Sequence, residues 1–153
     1  MKRLYLLALA LLVCAGAWAQ LNVKSKSSGP ESIATAASSK AGLIFQEKYG
    51  YLMMIVSSNR YDKSGYFLLG KDLDSAVQTL SDLLDLYGSI GDDQVTVEPW
   101  PERTCLLYAS DRAGWMVFKF SQHAGRCEVW KKDLEMFLAA LKERQAVKVE
   151  VVE

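Results

Sequence analysis

The order of the apolar segments is the feature that most constrains the fold of this chain. After residue 40, short apolar runs separated by turn residues alternate with two stretches of helical periodicity. The order strand, strand, strand, helix, strand occurs twice, over residues 42–98 and 104–152. Consecutive strands joined by short loops pair antiparallel. The sequence therefore predicts one α+β domain over residues 41–153, with an antiparallel sheet of about eight strands and two helices packed on it.

In the first half, three apolar runs are the predicted strands: residues 43–45, 51–57 and 66–69. Gly50 is suited to positive φ in the turn between the first two. Apolar residues then recur at helical spacing, with Asp72 as the N-cap and Gly88 as the helix end. Val95 and Val97 alternate with polar residues and predict a half-buried strand.

In the second half, the predicted strands are residues 105–108, 115–120 and 127–130. A helix capped by Asp133 follows. Val147, Val149 and Val151 alternate with charged residues and predict a final strand. Residues 147–152 are thus an edge through which subunits of an envelope assembly could associate.

Matching residues in the two halves indicate an internal duplication. Gly50 and Gly114 lie 64 residues apart, and the Lys-Asp-Leu triplets at 71–73 and 132–134 lie 61 apart. Grouped with four strands ahead of each helix, the element order resembles that of the PUR-type nucleic-acid-binding repeat. None of that family's motifs is present, and element order does not carry function.

The first nineteen residues predict a cleavable secretory signal peptide. Lys2 and Arg3 precede an apolar run at 4–13 that is too short to span a bilayer, and Ala-Trp-Ala at 17–19 is a cleavage site. Lipidation at Cys14 is disfavoured because Val13 is not small. We expect an exported chain, periplasmic or extracellular, without a transmembrane helix. A flexible leader, rich in serine and alanine, is predicted over residues 20–40.

Charge and cysteine content restrict the function further. The chain has 18 basic and 18 acidic residues; without Lys2 and Arg3 the exported form has 16 against 18, a net charge of −2. Such a balance offers no case for a nucleic-acid partner. Cys105 and Cys127 remain after cleavage. In an oxidising compartment they form either one disulfide or two buried thiols.

Motifs for catalysis are largely missing. His123 is the sole histidine, in a short polar loop, and no Gly-x-Ser-x-Gly elbow occurs. Neither zinc-type spacing nor a calcium loop appears, and no glycine-rich phosphate loop precedes a helix, so we expect no metal and no cofactor. A small secreted hydrolase using His123 with a loop carboxylate or serine is the enzymatic alternative.

Aromatic residues at strand ends and turns are the better candidates for a binding surface. Core packing explains Tyr51, Tyr66 and Trp115 well. It explains less well Tyr61, which lies beside Arg60 in the longer loop of the first half, and Trp100, which lies between two prolines. We therefore interpret the chain as a non-catalytic envelope module that binds an unknown protein or small molecule. The candidate contact residues are Arg60, Tyr61, Trp100 and His123.

Overall fold

A computed structural model describes residues 29–58, 64–90, 93–110, 114–122 and 125–150. The predicted signal peptide, residues 1–19, lies outside these ranges, as does the first part of the predicted leader. Export therefore stays a prediction from sequence.

The described residues form two four-stranded antiparallel sheets, each followed by a helix, so the α+β class is confirmed. The first unit consists of β1 (Glu31–Ala36), β2 (Ala41–Gln46), β3 (Gly50–Ile55), β4 (Gly65–Gly70) and α1 (Leu73–Ile90). The second consists of β5 (Val95–Trp100), β6 (Arg103–Ser110), β7 (Trp115–Phe120), β8 (Cys127–Trp130) and α2 (Lys131–Glu150). Within each sheet the strands lie in sequence order.

The grouping of strands differs from the predicted one. A single sheet of about eight strands was expected, with residues 95–98 closing the first half. Instead β5 pairs with β6, with Val95 opposite Leu107 and Val97 opposite Cys105. A hairpin between neighbouring strands closes a much shorter loop than a return across α1 would, and its entropic cost is lower. Four strands thus precede each helix, whereas the sequence predicted three strands before each helix and one after it.

Strand β1 replaces part of the predicted leader, so ordered structure begins before Ala41. Four of its six residues are serine, alanine or threonine, and this small and polar composition is why the sequence alone favoured a leader. Because β1 is an edge strand, it needs to bury few side chains. Its ladder with β2 satisfies the backbone N–H and C=O groups that face β2. Only Ala36, at its end, is buried in the core.

Helix α2 replaces the predicted final strand and starts before Asp133, so both of those predictions are wrong. It runs from Lys131 to Glu150 without interruption. No glycine or proline follows Gly125, and residues 142–146 are mostly strong helix formers, so nothing ends the helix before the valines. Val147 is 57% exposed. The predicted assembly edge at 147–152 is therefore helical through Glu150, and the residues after it lie outside the described ranges.

The capping prediction for α1 is confirmed at one end only. The Ser75 N–H donates to Asp72 Oδ1 at 2.8 Å, and the Ser75 hydroxyl donates to Oδ2 at 2.9 Å. These bonds lower the pKa of Asp72. At the other end, Gly88 is inside the helix, which continues to Ile90.

Both units share one core. The inner faces of the sheets and one side of each helix supply its residues, and the rings of Phe67 and Phe118 meet at 5.5 Å between the units. The turn of each unit's first hairpin reaches the other unit. In one direction, the Trp130 N–H donates to Ser39 Oγ at 2.9 Å. In the other, Trp100 Nε1 donates to the Tyr66 carbonyl at 3.1 Å. This second crossing forms the cleft described next.

Candidate functional site

An open cleft of about 430 Å³ lies where the β2–β3 hairpin, β4 and the β5–β6 turn meet. We call it the aromatic cleft. Its lining residues are Gln46, Tyr49, Leu52, Tyr66, Trp100, Pro101 and Arg103. The volume falls in the range of about 300–1,000 Å³ that is usual for small-ligand sites.

Strand alternation places the floor of the cleft on the outer face of the first sheet. Met53 and Phe67 are paired across β3 and β4 and point into the core, so their neighbours Leu52 and Tyr66 point the other way. Leu52 is only 2% exposed, whereas Tyr66 is 46% exposed. The cleft thus has a buried aliphatic residue below and an accessible tyrosine ring beside it.

Trp100 is held in place by two contacts. Its indole N–H donates to the Tyr66 carbonyl, and its ring lies edge-on to Tyr49, with 5.3 Å between centroids and 82° between planes. Such T-shaped pairs contribute about 0.5–1.5 kcal/mol beyond the area they bury. Because the indole N–H is already engaged, Trp100 offers a ligand its ring rather than a hydrogen-bond donor.

The β5–β6 turn delivers Trp100 and Arg103 to the cleft as a cross-strand pair. Between them Pro101 presets φ, and Glu102 has φ 64°, in the left-handed region. A positive φ at the second central residue is the mark of a type II turn, where glycine is usual. For glutamate this conformation costs about 1–2 kcal/mol. Strained backbone of this kind tends to occur at functional sites, where the surrounding structure maintains it.

Three polar groups in the aromatic cleft have no partner among the described residues. In the part of the chain that the structure describes, no hydrogen bond or ion pair engages the Gln46 amide, the Tyr66 hydroxyl or the Arg103 guanidinium. At the rim, the Lys48 ammonium lies 4.8 Å from the centre of the Tyr49 ring, and its hydrogen bond with Tyr49 raises its pKa. The lining set holds one cation and no carboxylate.

The structure describes only one of the four predicted contact residues. Trp100 is half-buried and lines the aromatic cleft. Arg60, Tyr61 and His123 lie outside the described residues, so their predicted roles stay predictions. The interpretation of Tyr66 as core packing was wrong, because strand parity turns its side chain outward. Gln46 and Arg103 carried no sequence signal, since isolated polar residues at hairpin ends are common.

Cys105 and Cys127 are buried thiols and do not form a disulfide with each other. They lie on β6 and β8, with β7 between them. Two strand spacings alone place their Cα atoms roughly 9–10 Å apart, and the offset between their partners on β7, Phe120 and Phe118, adds to this. The separation exceeds the limit of about 7 Å for a disulfide. Burial, with a smaller contribution from Cys127, raises the pKa of Cys105 to about 12.

Native-state alkylation tests this arrangement. With iodoacetamide at pH 8, we expect Cys105 and Cys127 to stay unmodified over a time in which the denatured chain is fully labelled, because both side chains are fully buried and out of reach of the reagent. Peptide mass spectrometry resolves the two sites. Recovery of a disulfide-linked peptide pair after alkylation under denaturing conditions would contradict the strand order.

The same pKa shift gives a pH dependence of stability. The unfolded thiol ionises near its ordinary pKa of 9.0, whereas folded Cys105 keeps its proton to about 12. Its contribution to the free energy of unfolding should be complete below pH 9 and decline as the pH rises toward 12. A Cys105→Ala variant, compared with the parent by chemical denaturation at several pH values, should lack this part of the decline.

Neither described helix is long and apolar enough to cross a membrane. Within the same residues, no cluster of three or more His, Cys, Asp or Glu side chains could hold a metal ion. Comparisons with protein-family models, with curated proteins and with solved structures find no match to this chain.

Proposed function

We propose that this chain is an exported, non-catalytic binding module whose aromatic cleft takes a ligand with a flat apolar ring face. One observation carries the proposal: the contacts to Tyr66 and Tyr49 hold Trp100 in place at the cleft before any ligand arrives. A side chain ordered in advance loses little entropy on binding, which favours affinity. Aromatic residues in partly enclosed positions are also the usual energetic centres of binding sites.

The chemistry of the cleft supports binding rather than catalysis. Among the described residues that line it, none is a serine, threonine, cysteine, histidine, aspartate or glutamate. Nucleophilic and acid–base mechanisms rely mainly on those side chains. The export part of the proposal rests on the N-terminal sequence, with its basic start, apolar run and Ala-Trp-Ala site.

An origin by duplication is part of the same proposal. Each unit has four sequential antiparallel strands and then one helix. Gly50 and Gly114, which the sequence aligns, both have positive φ at the start of the third strand, with values of 94° and 74°. The turns that each unit places against the other support a two-fold relation between the units.

A Trp100→Leu variant tests the binding site. The probe is a panel of short oligosaccharides, monitored through the tryptophan indole N–H signals in ¹H–¹⁵N NMR spectra. We expect one or more compounds to shift the Trp100 signal, and Trp100→Leu to weaken their binding by tenfold or more, as at an energetic hot spot.

The matched control is Trp115→Leu. Trp115 is also half-buried and packs against Trp130 at 5.2 Å, but it does not line the aromatic cleft. The Trp115→Leu variant should bind the same compounds with unchanged affinity. If ligands shifted signals around Trp115 and Trp130 while the Trp100 signal stayed in place, the proposed site would be wrong.

A further inference from the structure

We propose that the aromatic cleft selects a sugar that carries a carboxylate group. The inference rests on the proposed function and adds the chemical class of the ligand. It is argued from the groups that the cleft leaves available: ring faces, uncharged polar groups and an unpaired cation.

The ring faces suit the apolar side of a pyranose. One face of such a sugar presents C–H groups, which pack well on aromatic rings and aliphatic carbon. Trp100 and Tyr66 supply the rings, and Leu52 closes the cleft below them.

The uncharged polar groups suit the hydroxyls of the same sugar. The Gln46 amide has two donors and an acceptor, and the Tyr66 hydroxyl is both donor and acceptor. Neither has a hydrogen-bond partner among the residues that the structure describes. Sugar hydroxyls likewise donate and accept, so both groups could be satisfied by one ligand.

The positive charge of Arg103 indicates that the ligand carries a carboxylate. Arg103 is exposed and has no ion-pair partner in the described ranges. A guanidinium binds a carboxylate through two parallel hydrogen bonds. Lys48 adds a second positive charge in the β2–β3 turn, and the exposed carboxylates of Glu47 and Glu102, in the same two turns, are not among the described lining residues. An anionic sugar therefore finds complementary charge on one side of the ring platform.

Strand addition by an extended peptide is less favourable here. Peptides commonly bind by pairing with an edge strand, and β4 is an edge of the first sheet. The carbonyl of Tyr66, on β4, is already occupied by the Trp100 indole. A peptide strand at this point would displace the contact that orders the cleft.

Two matched ligands test the proposal on the full chain. Methyl β-D-glucuronide and methyl β-D-glucoside differ only in the carboxylate, and NMR titration gives both affinities. We expect the glucuronide to bind about tenfold or more tightly, with the Trp100 signal shifting, and this preference to shrink as salt rises. Arg103→Gln should remove the preference, while Arg144→Gln, a surface arginine paired with Glu31, should retain it.

Each other outcome bears on a different part of the argument. Equal binding of both glycosides at Trp100, unaffected by Arg103→Gln, would overturn the carboxylate and keep the proposed function. Failure of both, with binding of acetyl-Gly-Phe through its free carboxylate at the same signals, would overturn the sugar and keep the cleft. Both proposals would be overturned if the Trp100 signal shifted with none of these probes: the oligosaccharide panel, the two glycosides and the peptide.

Discussion

Gly50→Ala should lower the free energy of unfolding by about 2–5 kcal/mol, with two causes that add. Gly50 has φ 94°, a conformation that costs a residue with a side chain about 1–2 kcal/mol. A Cβ atom there would also collide with the Gly70 carbonyl and lie 2.6 Å from the Lys71 Cα. Both are backbone atoms that no rotamer change can move, so overpacking adds about 1–3 kcal/mol.

Gly114→Ala is the matched control for this result. Gly114 also has positive φ, 74°, but a Cβ atom would meet only the Trp130 ring at 3.6 Å, an ordinary contact. It should cost only the conformational part, about 1–2 kcal/mol. Urea denaturation followed by circular dichroism measures both. Equal losses would mean that β3 does not approach the β4–α1 junction as closely as the structure has it. Gly50 follows Tyr49, so the first variant should also disturb the aromatic cleft.

Asp133→Ala should destabilise the protein by about 1–3 kcal/mol. Asp133 is only 6% exposed in the first turn of α2, where the Ser38 hydroxyl donates to its Oδ2 at 2.7 Å and the Ser39 hydroxyl donates to the same atom. Ser39 Oγ in turn accepts the Trp130 N–H. Loss of the carboxylate would leave the buried Ser39 hydroxyl without its acceptor, and an unsatisfied buried group costs about 1–3 kcal/mol. The exposed Ser38 hydroxyl can turn to water instead.

Glu135→Ala separates this network from helix propensity. Glu135 lies two residues further along α2 and is exposed, with a 3.9 Å ion pair to Lys131 that should contribute less than about 1 kcal/mol. Both changes place the strong helix former alanine in the same helix. Guanidinium denaturation should show a small effect for Glu135→Ala and a large one for Asp133→Ala. Asp133→Asn should fall between them, because the amide oxygen still accepts. Similar values for Asp133→Ala and Glu135→Ala would show that the β1–β2 turn is not docked on α2 as described.

Much of the fold followed from local patterns. Every described strand except β1 coincides with an apolar run seen in the sequence, and α1 begins at the residue after its predicted cap, Asp72. Trp100 was identified because a tryptophan between two prolines is poorly placed for a core. These signals depend on neighbouring residues alone, which is why sequence could show them.

The sequence by itself determined the α+β class, the positive φ of Gly50, and Trp100 as a candidate contact. Only the tertiary structure decided how the strands are divided between two sheets, because a strand such as β5 can pair with the strands before it or after it, and its own residues do not specify which. It also decided the rest of the aromatic cleft. Tyr66 faces outward by strand parity, Gln46 lies beside it at the end of β2 in the same sheet, and Arg103 reaches the cleft through the β5–β6 turn of the other unit. Their proximity depends on packing between segments far apart in sequence, which no local pattern records.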